Sequence, residues 1–197
     1  MKLKLILIPL LTLGLTAAFG QDRAQKFDAD VSKAKLSQDV TKTPGKFITK
    51  GIGGDPVTKR FYTKDAVVIT RASGAREEHP YVAVPLLFQK NSDELLDGAS
   101  RENVSRLAQM LKDLSSNGAS FAIEGHASSE GDAQRNTELS KLRAAKIESL
   151  LREQGVAANE LARVEGFGSE AAQFKNPRAA SESQLQQDRR VLVVKER

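Results

Sequence analysis

One arginine lies at an unusual position in the sequence, on the apolar side of a predicted helix. Apolar residues at helical spacing define that side: Leu139, Leu142, Ile147, Leu150 and Leu151. With a rotation of about 100° per residue, Arg143 falls inside this stripe, four residues after Leu139 and four before Ile147. Removing a guanidinium from water costs on the order of several kcal/mol unless it gains a partner. Its two parallel N–H groups suit a carboxylate, so Arg143 is a candidate for binding an anionic ligand.

Two structural interpretations of Arg143 compete with ligand binding. The side chain is long enough to extend along apolar surface and place its charge in water. It could also form an ion pair with a nearby acid, for which Glu124 and Glu130 are the candidates. Because Lys146 also falls near the stripe, the pattern alone does not decide among these alternatives.

A loop at 126–131 contains the residue types of a serine hydrolase: His126, Ser128, Ser129 and Glu130. Residues this close along one loop rarely align as nucleophile, base and orienting acid, and the sequence has no nucleophile elbow. We therefore expect no enzyme. We interpret His126 as a hydrogen-bonded loop residue, because the other histidine, His79, is distant in sequence. Two histidines and no cysteine offer little for a metal site, and we expect neither a metal nor another cofactor.

The 197-residue chain carries a net charge of +5, but this charge is unevenly distributed. Residues 21–80 hold 12 Lys and Arg against 8 Asp and Glu, whereas residues 81–197 hold 16 against 17. The C-terminal part is therefore close to neutral and lacks the basic stripe that follows a phosphate backbone. We expect no nucleic-acid partner. A hydrophobic share of 40% is sufficient for one packed domain with an appendage.

Residues 1–20 have the pattern of a secretory signal peptide. Lys2 and Lys4 precede an apolar run that ends in Ala18-Phe19-Gly20, and small residues at this spacing are typical of a cleavage site. The apolar run is shorter than the ~20 residues of a membrane span, and Pro9 interrupts it. We therefore expect cleavage before Gln21 and a mature protein in the periplasm or associated with the outer membrane.

The candidate residues must be positioned by the elements of the C-terminal part. Apolar runs of strand length occupy 82–88, 119–124, 161–165 and 190–195, and helical spacing occupies 100–116 and 136–154. Ser100 and Asn136 are candidate N-caps, and Gly118 and Gly155 are candidates for the residue after each helix. The order β-α-β-α-β-β predicts an α+β domain in which two helices pack on a mixed four-stranded sheet.

We expect this domain to span residues 81–197. Residues 21–80 are polar and weakly patterned, which predicts a flexible N-terminal segment with a frayed helix at 29–36. Short runs at 61–62 and 66–70 predict a small hairpin within it. The segment is too short for eight membrane strands of about ten residues each, so we expect no transmembrane barrel.

The loop and the second helix together resemble the signature of OmpA-like domains. That family has G-H-T-D-x-x-G followed by N-x-x-L-S-x-x-R-A. Here Gly125-His126-Ala127-Ser128-Ser129-Glu130-Gly131 is followed by Asn136-x-x-Leu139-Ser140-x-x-Arg143-Ala144. Further matches occur in the family's order at Phe88 to Leu95, Gly155-Val156, Gly166 to Glu170, and Asp188-Arg189-Arg190-Val191. The resemblance covers about 82–194, and several motifs in one order make it specific.

The resemblance implies a β-α-β-α-β-β domain that binds peptidoglycan without cutting it. In the family, an Asp of the loop and the Arg of the R-A motif hold the diaminopimelate of the stem peptide, which offers an ammonium and a carboxylate. Arg143 occupies the position of this Arg, but Ser128 occupies the position of the Asp, 15 residues earlier. Glu130, two residues further along the loop, is the candidate replacement for the missing acid.

The resemblance also implies secondary contacts. Asn91 stands where the family has an Asp after its first strand, and it keeps a hydrogen-bond acceptor. Asn136 belongs to the N-x-x-L-S motif, although a helix N-cap is its simpler interpretation. Of Arg189 and Arg190, at most one reaches the site, because neighbouring strand residues face opposite sides. The candidate ligand-binding residues are Asn91, Ser128, Glu130, Asn136, Arg143 and Arg189.

Two functional hypotheses follow from these residues. The first is a non-catalytic envelope protein that binds peptidoglycan through its diaminopimelate-containing stem peptide. The alternative is an envelope structural or adaptor protein that binds another envelope protein, because Ser128 in place of the Asp has removed or changed the cell-wall ligand.

Overall fold

The structure, a computed structural model, describes residues 24–38, 41–42 and 56–196. The predicted signal peptide and its cleavage site lie outside the described residues. No helix in these ranges combines the length and the apolar composition of a membrane span.

The described residues form helices and strands in the following order along the chain. The α-helices are α1 (Ala29–Leu36), α2 (Gly98–Ser115), α3 (Ala133–Glu153) and α4 (Glu182–Asp188), with a short 3-10 helix at Ala158–Glu160. The strands are β1 (Thr41–Lys42), β2 (Val57–Tyr62), β3 (Ala66–Arg71), β4 (Arg76–Val84), β5 (Phe121–Gly125), β6 (Leu161–Gly166) and β7 (Val191–Lys195). Helix α4 lies in the long segment before β7, for which the sequence predicted neither a helix nor a strand.

The strands that the structure describes form one mixed sheet in the order β2-β3-β4-β7-β5-β6, with β1 paired to β4. β5 and β6 are parallel, and the other pairs are antiparallel. Helices α2 and α3 bury an apolar core against the sheet, which includes Leu107, Leu111, Ile147, Leu151, Phe121, Ile123, Val191 and Val193. The predicted α+β class is confirmed. The sheet exceeds four strands because the N-terminal residues contribute to it.

The described N-terminal residues pack on the domain, unlike the predicted flexible segment. β2 and β3 form a hairpin, with Phe61 opposite Val68, and β3 pairs with β4. β4 runs from Arg76 to Val84, so the boundary expected at residue 81 falls inside a strand. The predicted helix at 29–36 is α1. Its last residue, Leu36, and Phe27, which precedes the helix, are buried in the main core.

A second apolar cluster explains why the hairpin belongs to the domain. Val67 and Ile69 of β3 share this cluster with Ala122, Leu192 and Val194 of the central strands. These residues alternate with those that face the helices, so they lie on the opposite face of the sheet. The hairpin therefore covers a face that would otherwise expose apolar side chains to water, and the sheet curls to allow it.

The helix starts differ from the predicted N-caps. Asp97 caps α2, with its Oδ1 accepting from the Ser100 amide at 2.8 Å, and Asp132 caps α3 by accepting from the Arg135 amide at 2.9 Å. The predictions of Ser100 and Asn136 as N-caps are therefore wrong. Asp97 lies three residues before Ser100, and Asp132 lies four residues before Asn136. Aspartate caps a helix as well as serine or asparagine does, so each helix begins earlier than predicted.

Helix α3 lies directly on the ends of β5 and β6, because two glycines permit close contact. A Cβ atom at Gly125 or Gly166 would overlap the backbone of Ser140 or Lys141. The Ser140 hydroxyl in turn accepts a hydrogen bond of 2.9 Å from the Gly168 amide. These contacts fix the position of α3 one turn before Arg143, and so place that side chain relative to the sheet.

Candidate functional site

A cleft of about 570 Å³ lies between the segment 88–96, the loop 126–132, the first half of α3, and α4. We call it the Arg143 cleft. Its walls include all six candidate residues from the sequence, which are Asn91, Ser128, Glu130, Asn136, Arg143 and Arg189. Elements far apart along the chain thus bring these residues into one depression.

Arg143 lies on α3 and is only 4% exposed. Its Nε donates to the Ser92 carbonyl at 3.0 Å, and its Nη2 donates to the Gln89 carbonyl at 3.4 Å. The guanidinium carbon lies 4.9 Å from the centre of the Phe88 ring, which is a cation–π distance. Every one of these partners is neutral.

Neither structural interpretation of Arg143 describes its surroundings. The side chain does not extend into water, and no carboxylate of the described residues lies within ion-pair distance of it. Glu124 pairs with Arg60 and Arg163, and Glu130 pairs with Arg189. Arg143 is therefore a buried cation whose charge is not neutralised by a protein partner in this part of the chain.

The electrostatic surroundings of Arg143 disfavour its charged form. Burial is the main cause, followed by the positive charge of Arg189, and together they lower the pKa of Arg143 to about 10, with Asp93 opposing them. The group remains protonated at neutral pH. An anion entering the cleft would relieve this unfavourable environment.

Arg143 also holds the turn that forms one wall of the cleft. Phe88 and Leu95 form a bridge at the base of this turn, and the Gln89 amide donates to the Glu94 carbonyl at 2.8 Å. At its tip, Asn91 has a φ of 55°, a left-handed conformation that asparagine tolerates better than most residues. The exposed Asn91 side chain is thus presented at the rim of the cleft.

The opposite wall is the loop that follows β5. Ser128 is 4% exposed, and its carbonyl accepts from the Asn136 side chain at 3.2 Å. The same amide group donates to the Glu130 carbonyl at 2.7 Å. Asn136 therefore fixes the shape of the loop, and Gly131, with a φ of 80°, adopts a left-handed backbone conformation at its turn.

The candidate acid Glu130 already has a partner. Its carboxylate lies 3.2 Å from Nη1 of Arg189, and that guanidinium also pairs with Glu182 and contacts the Gln186 side chain. Arg190 turns to the other side, where it donates to the Ala171 carbonyl at 3.2 Å. Of the two consecutive arginines, Arg189 lines the Arg143 cleft and Arg190 does not.

A buried ionic cluster beneath the loop was missed by the sequence analysis. Glu124 of β5 is fully buried, pairs with Arg60 of β2 and with Arg163 of β6 at 3.2 Å, and accepts from the Tyr62 hydroxyl at 3.0 Å. Burial alone would raise the pKa of Glu124, but the positive charges of the two arginines hold it below its ordinary value. Arg60 and Tyr62 lie in the segment predicted to be flexible, and no local pattern links that segment to Glu124.

His126 is packed between rings, contrary to our expectation of a hydrogen-bonded residue. Its ring stacks on Phe167 at 5.6 Å between centres and meets Tyr62 edge-on at 5.2 Å. Neither ring nitrogen has a hydrogen-bond partner among the described residues, and Nε2 lies 3.8 Å from the Glu124 carboxylate. Burial lowers the pKa of His126, which favours the neutral ring. In this arrangement His126 does not contact the hydroxyl of Ser128 or Ser129.

A model of the OmpA family matches residues 87–186, which is just over half of the chain. No characterised protein sequence matches the chain at a significant level.

Solved structures with a similar fold come from cell-envelope proteins. The C-terminal domain of MotB from Helicobacter pylori has 18% sequence identity and a TM-score of 0.50, with 59% of this chain and 84% of that chain covered. A longer periplasmic fragment of the same protein has 17% identity and a TM-score of 0.50, covering 70% and 87%. The peptidoglycan-associated lipoprotein from Burkholderia pseudomallei has 22% identity and a TM-score of 0.49, covering 56% and 88%.

Proposed function

The chain belongs to the OmpA family, and from this premise we propose that it is a non-catalytic envelope protein that binds peptidoglycan. The family match includes the loop and helix motifs that resemble the peptidoglycan-binding signature. It also includes every candidate residue except Arg189, which follows three residues later.

The observation that carries this proposal is the buried Arg143, whose guanidinium faces a cleft without a carboxylate partner. Two further cations on the cleft wall, Lys90 and Arg135, form no ion pair with the described residues. A ligand with a carboxylate would supply the negative charge that the neutral carbonyls around Arg143 do not provide. Peptidoglycan stem peptides carry such groups.

We propose specifically that the carboxylate of diaminopimelate binds Arg143. The side chains of Ser128 and Asn91 lie on facing walls of the same cleft and can bind the neighbouring polar groups of the ligand. Asn136 acts indirectly by holding the loop, and Arg189 and Glu130 bound the far side. These roles give each candidate residue a distinct function in one site.

Envelope location is part of the same proposal. Residues 1–20 have the composition of a cleaved signal peptide, and peptidoglycan is reached only after export. A signal-peptide cleavage site before Gln21 can be tested by sequencing the N-terminus of the protein recovered from the envelope fraction.

Co-sedimentation with purified sacculi tests the proposed function. The mature chain should pellet with sacculi that contain diaminopimelate and remain soluble without them. Arg143→Ala should weaken this binding by at least about tenfold, because the ligand carboxylate loses its charged partner. Arg152→Ala is the matched control, since Arg152 lies on the same helix but is exposed, and its ion-pair partner within the described ranges is Glu148 at 3.6 Å.

Because Arg143 also holds the turn at 88–95, circular dichroism and thermal unfolding must accompany this measurement. If Arg143→Ala does not fold, Arg143→Lys provides the second variant, which keeps the charge but loses the forked geometry. Equal recovery of the wild-type chain with and without sacculi would overturn the cell-wall proposal. It would instead favour the adaptor function, in which the domain binds another envelope protein.

A further inference from the structure

The two glutamates on the wall of the Arg143 cleft already form ion pairs. Glu130 and Glu182 both pair with Arg189, and Asp132 accepts from the Arg135 amide as the N-cap of α3. In contrast, Lys90, Arg135 and Arg143 form no ion pair within the described residues. A cationic group that enters the cleft would therefore meet three positive charges that form no ion pair. Among the described carboxylates of the wall, only that of Asp132 forms no ion pair, and it is bound to a backbone amide.

The charge of diaminopimelate depends on whether its side-chain amine is free or acylated. When its side-chain amine is free, an ammonium stands beside the carboxylate. When the amine is acylated, as in a cross-link between two stem peptides, a neutral amide N–H replaces the ammonium and the carboxylate remains. The neutral acceptors of the cleft, such as Ser128 and Asn91, can bind the N–H of either form. The acylated form fits the cleft better, because it keeps the carboxylate that the cations attract and lacks the ammonium that they repel.

The space beyond the cleft can receive the acyl group. The Arg143 cleft shares Phe88, Leu96, Glu182, Gln186 and Arg189 with an adjoining groove of about 1010 Å³. This groove runs between α4 and the segment that follows β4, and its charged lining residues are limited to Glu182, Arg189 and Arg190 within the part of the chain described. Its other walls carry apolar side chains and the amides of Gln186 and Gln187, which suit an uncharged peptide.

We propose that the Arg143 cleft selects cross-linked over uncross-linked stem peptides, and that Arg189 sets this preference by neutralising Glu130. This selectivity depends on the proposed function, since it requires that the cleft binds diaminopimelate. Arg189 acts as a specificity-determining residue because its ion pair removes the carboxylate that could otherwise bind a free ammonium. Ser128 contributes by supplying a hydroxyl where the family has an acid.

Calorimetric titration of the mature chain with two synthetic peptides tests the preference. The first probe is L-alanyl-γ-D-glutamyl-diaminopimelate with a free side-chain amine, and the second is the same peptide with that amine acylated by N-acetyl-D-alanine. The acylated probe should bind about tenfold more tightly, because the free ammonium is repelled by the cations of the cleft. Equal or tighter binding of the free-amine probe would overturn the selectivity alone. Failure of both probes to bind would overturn the proposed function with it.

Variants at Arg189 separate the role of its ion pair from a general change of charge. Arg189→Gln should release Glu130 and improve binding of the free-amine probe by about tenfold. Arg189→Gln also releases Glu182, so Glu130→Gln and Glu182→Gln are each added to this variant. Glu130→Gln should abolish most of the gain and Glu182→Gln should leave it, because the proposal assigns the free ammonium to Glu130. Arg135→Gln is the matched control, since it removes one positive charge from the same cleft without freeing Glu130. An equal gain in Arg135→Gln would show that Arg189 has no specific role.

Discussion

The guanidinium of Arg143 donates to two backbone carbonyls and stacks on Phe88, and none of these partners cancels its charge. The carbonyls satisfy N–H groups that would otherwise be buried without partners, which makes the arginine tolerable in the free protein. Its positive charge remains available to an anion. One side chain thus stabilises the wall of the cleft and, in the proposed function, provides the main attraction for the ligand.

An acid at position 128, where the family has an Asp, should strengthen binding of the free-amine peptide. Ser128→Asp introduces a carboxylate on the cleft wall that Arg189 does not already occupy, so the free-amine peptide should bind about tenfold more tightly. Ser128→Asn is the control, because it has nearly the same shape without the charge. Calorimetric titration measures both. A gain of equal size in Ser128→Asn, or a loss in Ser128→Asp, would contradict an electrostatic origin.

At the scale of the elements, the cleft depends on how closely α3 lies on the sheet. Gly125 and Gly166 remove the side chains that would separate the helix from β5 and β6. Arg143 follows Ser140 by one turn, so a shift of α3 would move the guanidinium away from the carbonyls of the 88–95 turn. Glycine at these positions therefore serves the site by controlling the packing of a helix.

Gly125→Ala tests this dependence. The added methyl group would overlap the Ser140 backbone, so we expect a loss of about 1–3 kcal/mol in the free energy of unfolding. Gly98→Ala is the control, because nothing lies within 4 Å of its Cβ position and alanine favours the helix. Urea denaturation provides the comparison. Equal stability of Gly125→Ala and wild type would mean that α3 does not require this close contact.

At the scale of the whole molecule, Glu124 joins strands from both ends of the curled sheet. Arg60 comes from β2 at one edge, Arg163 from β6 at the other, and Glu124 from β5 between β6 and β7. Glu124 lies just before the loop 126–132 that lines the Arg143 cleft, and His126 at the start of this loop packs on Tyr62 of the hairpin. The N-terminal hairpin therefore supports the loop from below as well as covering the sheet.

This arrangement predicts a pH dependence of stability. The folded-state pKa of Glu124 is below its ordinary value, so its ionised form stabilises the fold above that value, and the contribution is lost as the pH falls through the folded-state pKa. Glu124→Gln should reduce the free energy of unfolding by about 2 kcal/mol near pH 7, with the difference from wild type shrinking towards pH 3. Urea denaturation of the variant and of the wild type between pH 7 and pH 3 measures this difference in the free energy of unfolding. A difference that does not change with pH would indicate that the charge of Glu124 contributes nothing.

Local patterns in the sequence were sufficient for much of this molecule. The apolar periodicity predicted α2, α3 and the strands of the family domain, because the burial of one face imposes a regular spacing on any helix or strand. The position of Arg143 inside an apolar stripe and the family motifs predicted the residues that the cleft brings together. These features depend on neighbours within a few residues, so they can be read along the chain.

The tertiary structure alone decided how the charges pair and where the N-terminal residues belong. Glu130 could be assigned to Arg143 or to a ligand from the sequence, but α4 brings Arg189 to it, 59 residues away. The short runs of β2 and β3 gave no sign that they cover the back of the sheet, and Arg60 meets Glu124 across 64 residues. Ion pairs and sheet curvature depend on contacts between distant segments. Several pairings satisfy the same local pattern, and only the packing of the whole chain selects among them.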